Sequence, residues 1–243
     1  MQTHLFCSNF DLMALPPAFH SLPTGFPDRR HSAPPYERDM TLRARRPLAL
    51  IVVLGIDGAG KSTAAREVAE LLPGTPVLVL GNYSGRKTIA GLARRFAVPL
   101  PVQVADILET AVRVFNVVLN HLRARRFGGL VIMDRHLYCQ LALRKTRGIR
   151  RRRVLEALLG MLPKARAVVY FDIPAEQAYE RIALRGEDQE SLEDLQRFRK
   201  AYTELPWYPA FTVIEAGGST ENSALQLQRV IANALESPAS LPL

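Results

Sequence analysis

Cysteine is nearly missing from this sequence: only Cys7 and Cys139 occur in 243 residues. That scarcity excludes a disulfide framework and fits a reducing compartment, so a cytoplasmic location is expected. A long hydrophobic run is missing too. The longest candidate, residues 48–55, has the length of a strand and ends in glycine, well short of the ~20 apolar residues that span a bilayer. No membrane partner is expected. Aromatic residues make up only 7% of the chain, and none is interleaved with the arginines of the basic run 144–153. That argues against binding a single nucleic-acid strand by stacking. No internal repeat is present. Charge, by contrast, is plentiful and unbalanced, with 32 Lys and Arg against 23 Asp and Glu for a net +9. Anionic partners are implied, whether nucleotides, phosphorylated metabolites or nucleic acid, and charge does not choose among them.

Residues 1–46 carry Pro16, Pro17, Pro23, Pro27, Pro34 and Pro35 without helical or strand periodicity. This stretch is expected to be a disordered extension, with Met40 as an alternative initiator. Asp11, Asp28, Glu37 and Asp39 count against a transit peptide. Residues 47–237 are expected to form one folded domain and 238–243 a tail. Within the domain, apolar runs at 48–54, 77–80, 130–133, 167–171 and 211–214 predict strands, separated by helical stretches such as 61–72 and 102–126. The 102–126 helix carries Ile107, Leu108, Ala111, Val114, Phe115, Val118 and Leu122 along one stripe. Alternation of this kind predicts an α/β fold: a doubly wound, mostly parallel sheet with helices on both faces. Trp207 and Tyr208, between Pro206 and Pro209, are expected to pack the last strand.

The stretch Gly55-Ile-Asp57-Gly58-Ala59-Gly60-Lys61-Ser62-Thr63 satisfies G-x-x-x-x-G-K-[ST], with a buried strand before it and a helix after it. Glycines let successive N–H groups curl around one phosphate, and the following helix adds its positive end. Lys61 would then bridge the β- and γ-phosphates of ATP, and Ser62 would ligate Mg2+. Leu130-Val-Ile-Met-Asp134-Arg135 supplies a second acid at a strand end for the metal, and an arginine for a phosphate oxygen.

These two motifs resemble those of the thymidylate kinases, P-loop nucleotide kinases with a short lid. Tyr170-Phe-Asp-Ile-Pro-Ala-Glu-Gln-Ala-Tyr-Glu-Arg-Ile-Ala-Leu-Arg185-Gly186 resembles that family's strand and helix leading into the lid. The resemblance runs from about residue 48 to 234. It implies that the γ-phosphoryl of MgATP passes to a nucleoside monophosphate or related small acceptor. It also implies that Asp57 bonds the acceptor and Arg135 bridges the two phosphates. By the same resemblance Arg185 would supply the lid arginine, with Arg181 as its rival. Arg113 falls where the family has an arginine near the thymine base, the other reading being a plain helix-surface arginine. The family often pairs through its long helix, which leaves a homodimer in view.

The chain departs from the family where the acceptor is read. The Thr-Arg-Glu-Pro-Gly-Gly-like stretch is replaced by Leu80-Gly-Asn-Tyr-Ser-Gly-Arg86-Lys87-Thr88, and the segment after Arg135 contains Tyr138-Cys139-Gln140 and Leu143-Arg144. The lid, Gly186-Glu-Asp-Gln-Glu190, is acidic. The run 144–153 reads either as a solvated helix start or as a dock for a strongly anionic acceptor. Two rival functions follow. One is a kinase of a nucleoside, sugar or other small hydroxyl compound on the same fold. The other is an ATP-binding regulatory or nucleic-acid-binding protein.

Overall fold

The computed structural model describes residues 49–72, 74–85, 88, 91, 95, 101–149, 152–186 and 190–236. The expectations for the 1–46 extension, Met40 and the 238–243 tail lie outside these residues, as do Arg86, Lys87 and lid residues 187–189.

Five strands form one sheet: β1 (Ala49–Leu54), β2 (Val77–Gly81), β3 (Leu130–Asp134), β4 (Ala167–Asp172) and β5 (Thr212–Glu215), in the order β2-β3-β1-β4-β5. Every pairing is parallel. Among the described residues there are seven α-helices: α1 (Lys61–Leu71), α2 (Val102–Arg125), α3 (Leu137–Thr146), α4 (Arg153–Met161), α5 (Ala175–Leu184), α6 (Leu192–Thr203) and α7 (Thr220–Glu236). All residues of β1 and β3 are buried. Strands covered on both faces need apolar side chains at every position, which is why these two read as unbroken hydrophobic runs. One helix group pairs α1 with α7, and another joins α3 to α2, α4 and α6. Trp207 packs edge-on against Tyr138 of α3 at 5.8 Å, and Tyr208 against Tyr170 of β4 at 5.6 Å.

The topology fixes where a ligand can sit. From β1 the chain leaves toward the β2 edge, and from β3 it leaves toward the β5 edge. β1 and β3 are neighbours, so a crevice opens between their carboxyl ends, the usual binding position of an open parallel sheet.

The stripe on α2 faces outward. Ile107 and Phe115 are 62% and 67% exposed, and Leu108, Val118 and Leu122 are exposed as well. The buried face of that helix is instead polar, with Asp106, Glu109, Arg113, Asn120 and His121.

Candidate phosphoryl-transfer site

The loop after β1 is held by sterics. Gly55 has φ 142° and a Cβ there would lie 2.7 Å from the Phe171 carbonyl oxygen; Gly58 has φ 83° and its Cβ would lie 2.5 Å from the Ala178 oxygen. Only glycine tolerates both the left-handed backbone and the close approach. Gly60, also left-handed at φ 79°, turns the chain into α1, whose first amides have no intrahelical acceptor and face outward from the helix end. Ala59 is buried beneath the loop, and Thr63 continues α1 on its exposed side.

The parallel ladder sets Val53 opposite Asp134, so the acid at the end of β3 stands beside the start of this loop. Ser62 donates its hydroxyl hydrogen to Asp134 Oδ2. Asp134 Oδ1 is buried and has no hydrogen-bond partner. A buried carboxylate oxygen left unpaired next to a serine hydroxyl is the donor set of a small hard cation. Lys61 is 5% exposed and its Nζ donates to the Ile56 carbonyl at 2.6 Å. Burial holds its pKa below the ordinary lysine range. Asp134, Cys139 and Glu190 oppose that shift, and Arg185 adds to it. Asp134, Glu190 and Arg185 therefore all act electrostatically on the same ammonium.

Arg135 is the single described non-glycine residue with positive φ, 72°. Its backbone N–H donates to Val53 O at 3.0 Å, and its carbonyl accepts from Asn82 Nδ2 at 2.6 Å. These bonds hold a conformation that costs on the order of 1–2 kcal/mol in an L-residue. The twist aims the guanidinium back across the crevice, where Nη2 donates to Asp57 Oδ1. Asp57, Lys61, Ser62, Asp134 and Arg135 are thus brought together at the carboxyl ends of β1 and β3.

The two lid arginines part company. Arg181 is committed: Nη1 donates to Ala216 O at 3.0 Å, and Nη2 to Gly217 O and Gly218 O at 3.1 and 2.7 Å. Arg185 is exposed, with Nε donating to the Arg181 carbonyl at 3.2 Å. The structure also removes the surface reading of Arg113, which is 5% exposed. Its Nε donates to Gln140 Oε1 at 3.2 Å, and its Nη1 to Asn82 O at 3.1 Å.

At the start of the basic run, Arg144 and Arg147 are neither a solvated face nor an open dock. Arg144 Nε bonds Asp106 Oδ2 at 2.8 Å, and Arg147 Nη2 bonds Glu109 Oε1 at 3.1 Å. Lys145 pairs with Glu204 at 2.9 Å, and Arg152 with Glu156 at 4.0 Å. Asp106 and Glu109 are the residues that sequence reasoning missed, together with Asn82 and Asn120. For Asp106, Glu109 and Asn120 the signal is present as a second helical stripe on α2, polar where a core stripe would be apolar. Beside it His121 and His136, each 4% exposed, meet Nε2 to Nε2 at 3.1 Å. Burial pushes His121 down to about 4 and His136 to about 3, with Arg125 helping in the first case and His121 and then Arg113 in the second.

Known proteins share this architecture. The sequence profile of the family described as thymidylate kinase matches residues 53–226. A protein of Archaeoglobus fulgidus named "Probable thymidylate kinase" is 32% identical over 189 residues, covering 75% of this chain and 94% of its own length. A thymidylate kinase of Xanthomonas campestris pv. campestris is 28% identical, covering 76% and 84%. The solved thymidylate kinase of Candida albicans superposes with a TM-score of 0.61 at 20% identity, covering 77% of this chain and 93% of that one. At that identity the superposition speaks for the fold. The site built on β1 and β3, the profile match and the relatives agree: the chain is a P-loop kinase and belongs to the thymidylate kinase family.

Proposed function

We propose that this kinase moves the γ-phosphoryl of MgATP to a nucleoside monophosphate, thymidine monophosphate being the first acceptor to try. The observation that carries this reading is the meeting of Lys61, Ser62, Asp134, Arg135 and Asp57 at one crevice, with Asp134 Oδ1 unpaired. The relatives' names supply the acceptor.

In the proposed mechanism the protein contributes position and charge rather than covalent chemistry. Gly55, Gly58, Gly60 and the first turn of α1 cradle the donor phosphates with backbone N–H groups. The Lys61 ammonium exchanges the Ile56 carbonyl for phosphate oxygens. The Ser62 hydroxyl and the Asp134 carboxylate would hold Mg2+, which would supply charge neutralisation for the transferred phosphoryl group. Arg135 sits between donor and acceptor phosphates, and Arg185 joins from the lid side. Asp57 orients the acceptor. Its carboxylate is already engaged by Arg135, which favours an acceptor that is itself a nucleophile, as a phosphate is, over a hydroxyl that needs a base. The nucleic-acid reading loses support, since Arg144 and Arg147 at the start of the basic run are spent on carboxylates of the same chain.

Two further features complete the proposal. The apolar outer stripe of α2 is too continuous for a surface that meets only water, and a second copy of the chain would cover it. The buried free thiol of Cys139 suits the cytoplasm.

The test is ATP consumption by purified protein across nucleoside monophosphates, nucleosides and sugars, with Lys61→Ala as the blank. Turnover of a monophosphate is expected, reduced about a hundredfold or more in the variant. Phosphorylation of neutral hydroxyl compounds with monophosphates inert would sink the proposal.

A further inference from the structure

Phosphoryl transfer does not account for the buried polar seam between α2 and α3. At one end of the seam Arg113 donates through Nη1 to the carbonyl of Asn82, whose own N–H bonds the Asp134 carbonyl at 2.9 Å. At the other end Arg144 and Arg147 flank Asp106 at 2.8 and 3.7 Å. Gln140, fully buried, links the two ends: Oε1 accepts from Arg113 Nε at 3.2 Å and Nε2 donates to Asp106 Oδ1 at 3.1 Å.

A glutamine amide has a donor end and an acceptor end of almost equal shape, so its partners decide which way round it lies. Reversed, this amide would set N–H against the N–H of Arg113 and lose both bonds. Asp106 prevents reversal because a carboxylate accepts only. That carboxylate is 2% exposed. Left alone in the interior it would be strongly unfavourable, and the guanidiniums of Arg144 and Arg147 make its charge tolerable there. The start of the basic run thus supplies Asp106 with its partners. Asp106 orients Gln140, and Gln140 orients Arg113. The Nε and Nη1 donors of Arg113 are used within the seam, and its Nη2 makes no hydrogen bond among the described residues.

We propose that Asp106 is a positioning residue for acceptor recognition, acting through Gln140 on Arg113, the arginine that falls where the family has one near the acceptor's base. This rests on the monophosphate-kinase reading above.

The experiment compares steady-state kinetics of Asp106→Asn, Arg113→Met and the double variant. Asparagine keeps the shape but adds an NH2 and removes the charge, so the Gln140 amide is no longer held one way round. Asp106→Asn is expected to raise the acceptor KM about tenfold, leaving kcat and the KM for ATP within about twofold of the parent. Added to Arg113→Met it should cause no further rise, because the residue it positions is gone. If Asp106→Asn does not fold, Gln140→Leu cuts the same link from the other side and should give the same split. An unchanged acceptor KM in a folded Asp106→Asn protein, with only its Tm lowered, would overturn the inference. So would equal rises with and without Arg113, or failure of both Asp106→Asn and Gln140→Leu to fold. A parent protein inert toward every monophosphate overturns the functional reading as well, whereas an active parent with a kinetically silent Asp106→Asn overturns this inference alone.

Discussion

His121 and His136 share one hydrogen bond at 3.1 Å while both are buried, so at most one proton lies between the two Nε2 atoms and both rings are neutral. Nδ1 of His136 has no partner, which adds to the cost of charging that ring. In the unfolded chain each imidazole takes up a proton below the ordinary 6.5, whereas in the folded protein His121 waits until about 4 and His136 until about 3. Between those values the unfolded state binds more protons, so stability is full above 6.5 and declines as the pH falls toward 4. The decline is about 1.4 kcal/mol per pH unit for each ring. Urea midpoints followed across that window should fall steadily, and His121→Phe should flatten the slope. A flat profile in the parent protein would refute the assignment. The same residues show what a sequence conceals at this scale. Lys61, Ser62, Asp134 and Arg135 announce themselves because their neighbours in the chain form a motif. The partners of His136 and Gln140 lie on another helix, and only folding brings them together.

At the scale of elements, α2 carries the main surprise. It presents Phe115, Ile107 and Leu122 outward, while Asp106, Glu109 and Arg113 turn inward. If the outer stripe joins two copies, Phe115→Glu should convert the protein from dimer to monomer in sedimentation equilibrium, with the secondary structure intact. A parent protein that is already monomeric would refute the pairing. The strands were easier to read than this helix. Residues 130–133 were expected for β3 and Leu130–Asp134 is observed, because a strand buried on both faces must be apolar throughout. Asp134 extends the ladder by one position, since a strand end is set by backbone pairing and not by side-chain polarity. Apolar periodicity on α2 marks the residues that avoid water, but it does not say whether another element or another copy covers them. The pairing of Arg144 and Arg147 with α2 depends on contacts 38 residues apart along the chain, which no local pattern carries.

For the whole molecule, ligand binding and folding are linked, because the cradle exists only when β1, β3 and α1 are assembled. ATP with Mg2+ should raise the Tm, equivalent to about 2.7 kcal/mol at a hundredfold excess over Kd. Chelating the metal should remove most of that gain, and so should Lys61→Ala. A Tm indifferent to ATP with Mg2+ would argue against a nucleotide site. The fit of Val53 opposite Asp134 carries one more consequence. The ladder acts as a ruler: side chains alternate between the faces of a sheet, so losing a single residue from β3 would deliver the carboxylate to the wrong side of the sheet. Such a protein could retain its core and every motif residue and still be unable to hold the metal. Loops beyond the ruler are under no such constraint. The sequence after β2 can therefore depart from the family's pattern, as residues 80–88 do here, while the donor half stays in place.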